Sequence, residues 1–190
     1  INQITSFANA KRRIFMSATL SDDSLLMRAF DLSEKVSIVS PTYASDIGDR
    51  LILFPQACNE NITDDELKEE ISNFSKEMNV CVIVPSKSRA EYWRDKASLI
   101  INAQNILVGI DSIRKSSSGL YVFINKYDGI DLPDNMCRLL VIDGLPDTRL
   151  NRDRINESCL LGATNEITRN KIHKIEQGMG RGIRSSNDYC

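Results

Sequence analysis

The chain has 190 residues, a formal net charge of −2, 42% hydrophobic residues and 26% charged residues. This is the composition of an ordinary globular protein, long enough for one sizeable domain or for one domain and a piece of another. It excludes a membrane-spanning helix, because no apolar run approaches the ~20 residues needed; no signal-peptide pattern opens the chain, and any nucleic-acid binding has to come from a local basic surface rather than from net charge.

In chain order, RRIFMS (12–17) reads as a strand, SDDSLLMRAF (21–30) as a short helix opened by Ser21, and KVSIVS (35–40) as a second strand. SPTYASDIGDR (40–50) is polar, with Pro and Gly, and reads as a linker. RLILF (50–54) reads as a strand. Thr63-Asp64-Asp65-Glu66 has the form of a capping box, opening a helix to about Met78 with acids crowding its first turn. NVCVIV (79–84) is an uninterrupted apolar strand of the kind buried on both faces of a parallel sheet. Pro85 stops it, and Ser86 can cap a helix through about Ala97. NILV (105–108), GLYVFI (119–124) and RLLVID (138–143) read as further strands, and Ile172, Ile175 and Met179 mark an amphipathic helix near the end. The alternation implies βαβ units and an α/β fold with a parallel sheet. The five cysteines, Cys58, Cys81, Cys137, Cys159 and Cys190, are scattered without a C-x-x-C, which favours reduced, buried thiols in a cytosolic setting over disulfides or a metal cluster.

In parallel sheets ligands gather at the carboxyl ends of the strands. The turns that matter are therefore SAT (17–19), PSKSR (85–89), NKYDGIDLPD (125–134) and DGLPD (143–147). Each has a plain reading as a cap or polar turn. The same is true of His173 as part of a solvated helix face, of Tyr92 and Trp93 as packing residues, and of the acidic run at 64–70 as a solvated helix start. QGMGRGIR (177–184) is harder to explain away. It sets Arg181 and Arg184 three apart among three glycines, although glycine weakens a helix and like charges one turn apart repel. Guanidiniums fixed at such cost usually meet an anionic oxygen, of a carboxylate or a phosphate.

SAT, VIVPSKSRAEYW, VFINKYDGIDLP with RLLVIDGLP, and QGMGRGIR, in that order, resemble motifs III, IV, V and VI of superfamily 2 helicases. Within that superfamily the chain resembles the XPD/DinG-type DNA helicases, in which motif V reads DGIDLP-like and motif VI reads Q-x-x-G-R-x-I-R. Gly178 stands where many DEAD-box proteins have an arginine. No G-x-x-x-x-G-K-[ST] phosphate loop and no D-E-A-H-type box occur in these residues. The resemblance therefore implies a fragment: residues 1–45 as the tail of a first RecA-like motor domain with its linker, and 46–190 as most of the second, with the P-loop NTPase fold.

The resemblance also implies a division of labour. The missing N-terminal motor domain holds ATP with Mg2+. The present domain adds Arg184 as the arginine finger, Arg181 as its neighbour on the phosphates, and Gln177 to position the loop. Gly129, Asp131 and Gly180 lie against the nucleotide. Ser86, Lys87, Asn125 and Lys126 contact single-stranded or forked nucleic acid, expected to be DNA, and Ser17 and Thr19 couple nucleotide state to that surface. No metal ligands and no membrane partner are expected in this chain, and the location implied is the cytoplasm or nucleoid. The alternatives from other classes are a non-catalytic RecA-like module that binds nucleic acid or protein, and the motor of an RNA helicase or restriction enzyme.

Overall fold

The computed structural model describes residues 4–16, 37–39, 51–146, 155, 165–182 and 189–190. It divides the chain into two units, Ile1–Ala44 and Ser45–Cys190. In the first unit, α1 (Thr5–Ala8) is one turn long. Phe7 meets Phe15 edge-on with ring centroids 6.3 Å apart, and the Arg13 guanidinium lies 5.2 Å from the Phe7 ring centre. Residues 12–16 and 37–39 do not form the strands expected of them. A strand needs a neighbour for its backbone groups, and among the described residues of this unit none is paired. The expected helix at 21–30 and the linker at 40–50 lie outside the described residues.

The second unit carries the sheet. Residues 51–54, expected as a strand, are irregular; Leu51 N–H donates to the Cys190 carbonyl at 3.3 Å, and Leu51, Leu53 and Phe54 stay exposed. Pro55 then opens the single turn α2 (Pro55–Cys58) at its first position, where its missing N–H costs nothing. The helix α3 (Asp64–Phe74) begins with the expected capping box: the Thr63 hydroxyl accepts from Glu66 N–H at 3.2 Å, and the Glu66 carboxylate accepts from Thr63 N–H at 2.9 Å. After it come β1 (Asn79–Val84), α4 (Lys87–Tyr92), β2 (Leu99–Ile101), α5 (Ile106–Lys115), β3 (Gly119–Ile124), a 3-10 turn at Asp134–Met136, β4 (Leu139–Ile142) and α6 (Asn165–Met179). Three expectations are corrected here. NILV is the start of α5, not a strand; the helix opened by Ser86 ends at Tyr92, short of Ala97; and α3 ends at Phe74, short of Met78.

The four strands form one parallel sheet in the order β2-β3-β1-β4. Every residue of β1 is buried, which explains its unbroken apolar run. Successive side chains point to opposite faces. One face holds Cys81, Ile83, Tyr121, Phe123 and Ile101 with Ile113 of α5. The other holds Val80, Val82, Val84, Leu120 and Val122 with Ala90 of α4 and Trp93. β1 pairs with β3 on one side and β4 on the other. The chain thus runs outward in one direction and then returns across β1, and at such a switch a crevice opens beyond the strands' carboxyl ends.

Candidate active site and nucleic-acid interface

The loop after β3 is built to stay open at the carboxyl edge. Asn125 takes a left-handed conformation, φ 52°, and its N–H donates to Val84 O at 2.7 Å, tying the loop's start to the end of β1. Asparagine tolerates this region better than most residues. Gly129 has φ +71°, and an added Cβ would meet nothing within 4 Å, so glycine is needed there for its backbone and not for space. Between and beyond them Tyr127, Ile130 and Leu132 turn their side chains into the core, at 2%, 3% and 0% exposure. Asp131 lies between two buried neighbours and is exposed.

The end of α6 closes on this loop. Arg181 donates from Nε to Tyr127 O at 3.2 Å and from Nη1 to Ile130 O at 3.0 Å. Leu132 N–H donates back to Arg181 O at 3.3 Å. Gly178 is buried, and a Cβ there would lie 3.4 Å from Tyr127 Cδ1, 3.7 Å from Ile142 Cδ1 and 3.8 Å from Ile83 Cδ1. The small residue lets the last turn of α6 approach the ends of β1 and β4. Gln177 and Gly180 are half-buried beside it. The third loop joins through Tyr127, whose hydroxyl donates to Gly144 O at 3.1 Å. The turns after β3 and β4 and the end of α6 therefore form one connected edge. Arg184 lies outside the described residues, as do Ser17, Thr19 and Cys159.

Beside this edge lies a depression of about 280 Å³, lined by Lys87, Asn102, Ala103, Gln104, Ile124, Asn125 and Lys126. It brings together three of the four residues expected at a strand and contains two lysines and no acid. Asn102 and Gln104 were missed from the sequence. The signal available was NAQN (102–105), a run of short amide side chains before a helix, where the Asn102 side chain accepts from Gln104 N–H at 2.7 Å. Ser86 does not line the depression. Its hydroxyl accepts from Arg89 N–H at 3.2 Å as the cap of α4 and sits 3.0 Å from Ser88 Oγ.

A second network fixes α4, and with it Lys87. Asp143, at the end of β4, accepts from Arg89 Nε and Nη2 at 2.8 Å each and from the indole N–H of buried Trp93 at 2.7 Å. Arg89 Nη2 also donates to Asp64 at 2.9 Å. The hydrogen-bonded Asp143 carboxylate, with Asp64 adding to it, holds the Arg89 guanidinium above its ordinary range. Tyr92 donates to Asp65 at 2.7 Å, and Lys68 and Arg89 each lie 4.4 Å from its ring centre. Burial, then the bond to Asp65, pushes its phenol upward. Trp93 and Tyr92 are packing and bridging residues, as their plain reading had it. Cys81 and Cys137 are buried thiols, Cys190 is half-buried with its sulfur 4.0 Å from Cys137 Sγ, and Cys58 departs from expectation by being exposed. Among the described residues no three His, Cys, Asp or Glu side chains group to hold a metal.

A parallel sheet whose strand-end loops join an arginine-bearing helix end beside a basic depression is an α/β arrangement of the RecA-like kind. The chain belongs to the helicase C-terminal domain family, whose model matches residues 69–190, more than half of its length. That family is the motor-domain half of superfamily 2 type helicases, ATPases that work with Mg2+, nucleic acid and an N-terminal motor domain. No curated protein matches the chain.

Proposed function

We propose that this chain is the second motor domain of an XPD/DinG-type DNA helicase, which couples ATP hydrolysis to movement along a single strand. The observation that carries the reading is the junction of the 125–132 loop with Arg181, next to the depression lined by Lys87 and Lys126. A site of this kind can couple a nucleotide cleft to a strand surface, because one loop belongs to both. Residues 1–45 then belong with the first motor domain, where Ser17 and Thr19 relay between nucleotide and strand.

The residues present fit a partial nucleotide site. They include no phosphate loop, and they do include an exposed carboxylate and an open glycine turn at the carboxyl edge, Asp131 and Gly129, with Gly180 on the helix end that adjoins this loop through Arg181. When bound, ATP with Mg2+ supplies the transferable phosphoryl group. This chain's own part is to present Arg184 to the developing charge, to place Gln177 and Gly180 beside it, and to hold the strand at Lys87, Asn125 and Lys126 through contacts that fix position without reading sequence. Phosphoryl transfer of this type rests on positioning and electrostatics.

The test is steady-state ATPase of the full-length protein with saturating single-stranded DNA, alongside nucleotide titration. Arg184→Ala should lower turnover by on the order of 10³-fold or more, the value of an arginine finger, while leaving ATP affinity nearly intact, because the contact is made in the transition state. Arg184→Lys should rescue poorly, since an ammonium lacks the planar fork. Turnover within about threefold of wild type, far short of a finger's value, removes Arg184 from the site. A strand-binding module without catalysis would show no turnover in the wild type.

A further inference from the structure

We propose that Asp143 is a positioning residue for the strand: through Arg89 it sets the rotation of α4, and so the place of Lys87 beside Lys126 in the basic depression. Asp143 does not itself line that depression. Its backbone is fixed first. Its N–H donates to Ile83 O at 2.9 Å, which continues the pairing of β1 with β4 past the end of β4. Gly144 follows with φ +103°, and an added Cβ there would lie 3.1 Å from Pro85 Cγ and 3.2 Å from its Cδ. The turn after β4 thus packs on the residue that precedes the cap of α4. On its other side the Gly144 carbonyl accepts from the Tyr127 hydroxyl at 3.1 Å. Asp143 and Gly144 together therefore touch both elements that carry the lysines, α4 with its entry turn and the loop after β3.

The Asp143 carboxylate then orients α4. A helix of six residues is too short to hold its own geometry in water, so its orientation comes from its anchors. Arg89 Nε and Nη2 each meet the carboxylate at 2.8 Å, a two-point fork that fixes direction as well as distance. Trp93 donates its indole N–H to the same oxygen as Arg89 Nε and ties the far end of α4 to the same point. Asp64 also accepts from Arg89, but its side chain is 60% exposed against 15% for Asp143, so water screens that pair more. Residues two apart on a helix do not face the same side. With Arg89 turned to Asp143, Lys87 is turned elsewhere, and it lines the depression. A roll of α4 about its axis would carry Lys87 away from Lys126. This consequence for the strand rests on the function proposed above; the anchoring of α4 does not.

Binding of single-stranded oligothymidylate by the full-length protein at several salt concentrations tests the assignment. The variants are Asp143→Asn, Arg89→Lys, Lys87→Ala, Lys126→Ala, and Asp143→Asn combined with each lysine variant. Asp143→Asn removes negative charge from the edge that holds the depression, so charge alone predicts tighter binding. Loss of position predicts the opposite sign: affinity weaker by about fourfold at about 0.15 M salt, and a slope of log affinity on log salt flatter by about 0.7, the values for one lost phosphate contact. Asp143→Asn should add nothing to the loss in Lys87→Ala, where the contact is already gone, and should add its full loss to that in Lys126→Ala. Arg89→Lys keeps both charges and loses the fork, so it should weaken binding by an intermediate factor, and it serves as the test if Asp143→Asn folds poorly. Amide exchange is the second readout. In Asp143→Asn it should speed at residues 90–93 by about tenfold beyond any change at 79–84 in β1, the weight of one charge-assisted bond. Loss of global stability alone speeds both segments alike. Unchanged or tighter binding in Asp143→Asn, beside a normal slope loss in Lys87→Ala, overturns the proposal and leaves the strand in the depression. Equal added losses in both doubles overturn it too, as does exchange that rises equally at 90–93 and in β1. An unchanged slope in Lys87→Ala with faster exchange at 90–93 leaves α4 anchored by Asp143 but refutes the function proposed for the depression, and with it the part of Asp143 in strand binding.

Discussion

Asp143 is the most heavily used side chain near the site, since one carboxylate accepts the fork of Arg89 and the indole of Trp93. Its side chain is 15% exposed, so its partners have little water to turn to. Asp143→Asn replaces one acceptor oxygen with a donor and leaves at least one N–H facing another N–H. The expected loss of stability is about 1–3 kcal/mol, the range for leaving a buried donor unpaired, as measured by urea unfolding. Trp93 is the chain's only tryptophan, so its emission in the folded baseline should shift with the lost bond. Glu66 provides a contrast at the surface. Its carboxylate is held below its ordinary value, first by Thr63 N–H and then by the Thr63 hydroxyl. A depressed carboxylate contributes stability above its unfolded-state value of 4.5, and that contribution is lost as pH falls through the lower folded value. Unfolding followed from about pH 6 to about pH 3 should lose part of its acid dependence in Glu66→Gln.

At the scale of elements, α5 shows how tertiary contact overrides local pattern. NILV carries three branched apolar residues in a row and so reads as a strand. In the fold it opens a helix whose Gly109 presses on β2: an added Cβ would lie 2.6 Å from Ile101 Cδ1 and 2.7 Å from its Cγ1. Gly109→Ala should therefore destabilise by about 1–3 kcal/mol through overpacking, despite alanine's better helix propensity. Ile101→Ala in the same chain should make Gly109→Ala nearly neutral, and a double-mutant cycle by denaturant unfolding reads this coupling directly. β1 and β3 were legible because burial left continuous apolar runs, half-buried β4 because it too is an unbroken apolar run, and the capping box of α3 because its chemistry is local. β2 is only three residues long, too short to stand out from its flanks. Residues 12–16, 37–39 and 51–54 have strand-like composition, yet composition does not supply a neighbouring strand.

For the whole molecule, the legible part of the site was the part with ordered motifs, the loop at 125–133 and the helix end at 177–182. What the sequence could not show was pairing over long separations. Arg89 and Asp143 are 54 positions apart, as are Tyr127 and Arg181, and nothing in the sequence around either member of a pair says which residue it meets. The basic depression was half legible: Lys87 and Lys126 stand on strand-end turns, while Asn102 and Gln104 reach it only through the fold. Its lysines matter more because the chain as a whole carries a net charge of −2 and cannot attract a polyanion by itself. Each phosphate neutralised by a lysine releases condensed counterions, and the plot of log affinity against log salt steepens by about 0.7 per contact on a single strand. In the full-length protein, Lys87→Ala and Lys126→Ala should each flatten that slope by about this amount, and the double variant by about twice as much. The loss should be similar for strands of different sequence, because phosphate contacts carry no base information. Binding isotherms of single-stranded DNA at several salt concentrations measure both quantities. Unchanged slope and affinity in the double variant would place the strand elsewhere on the domain.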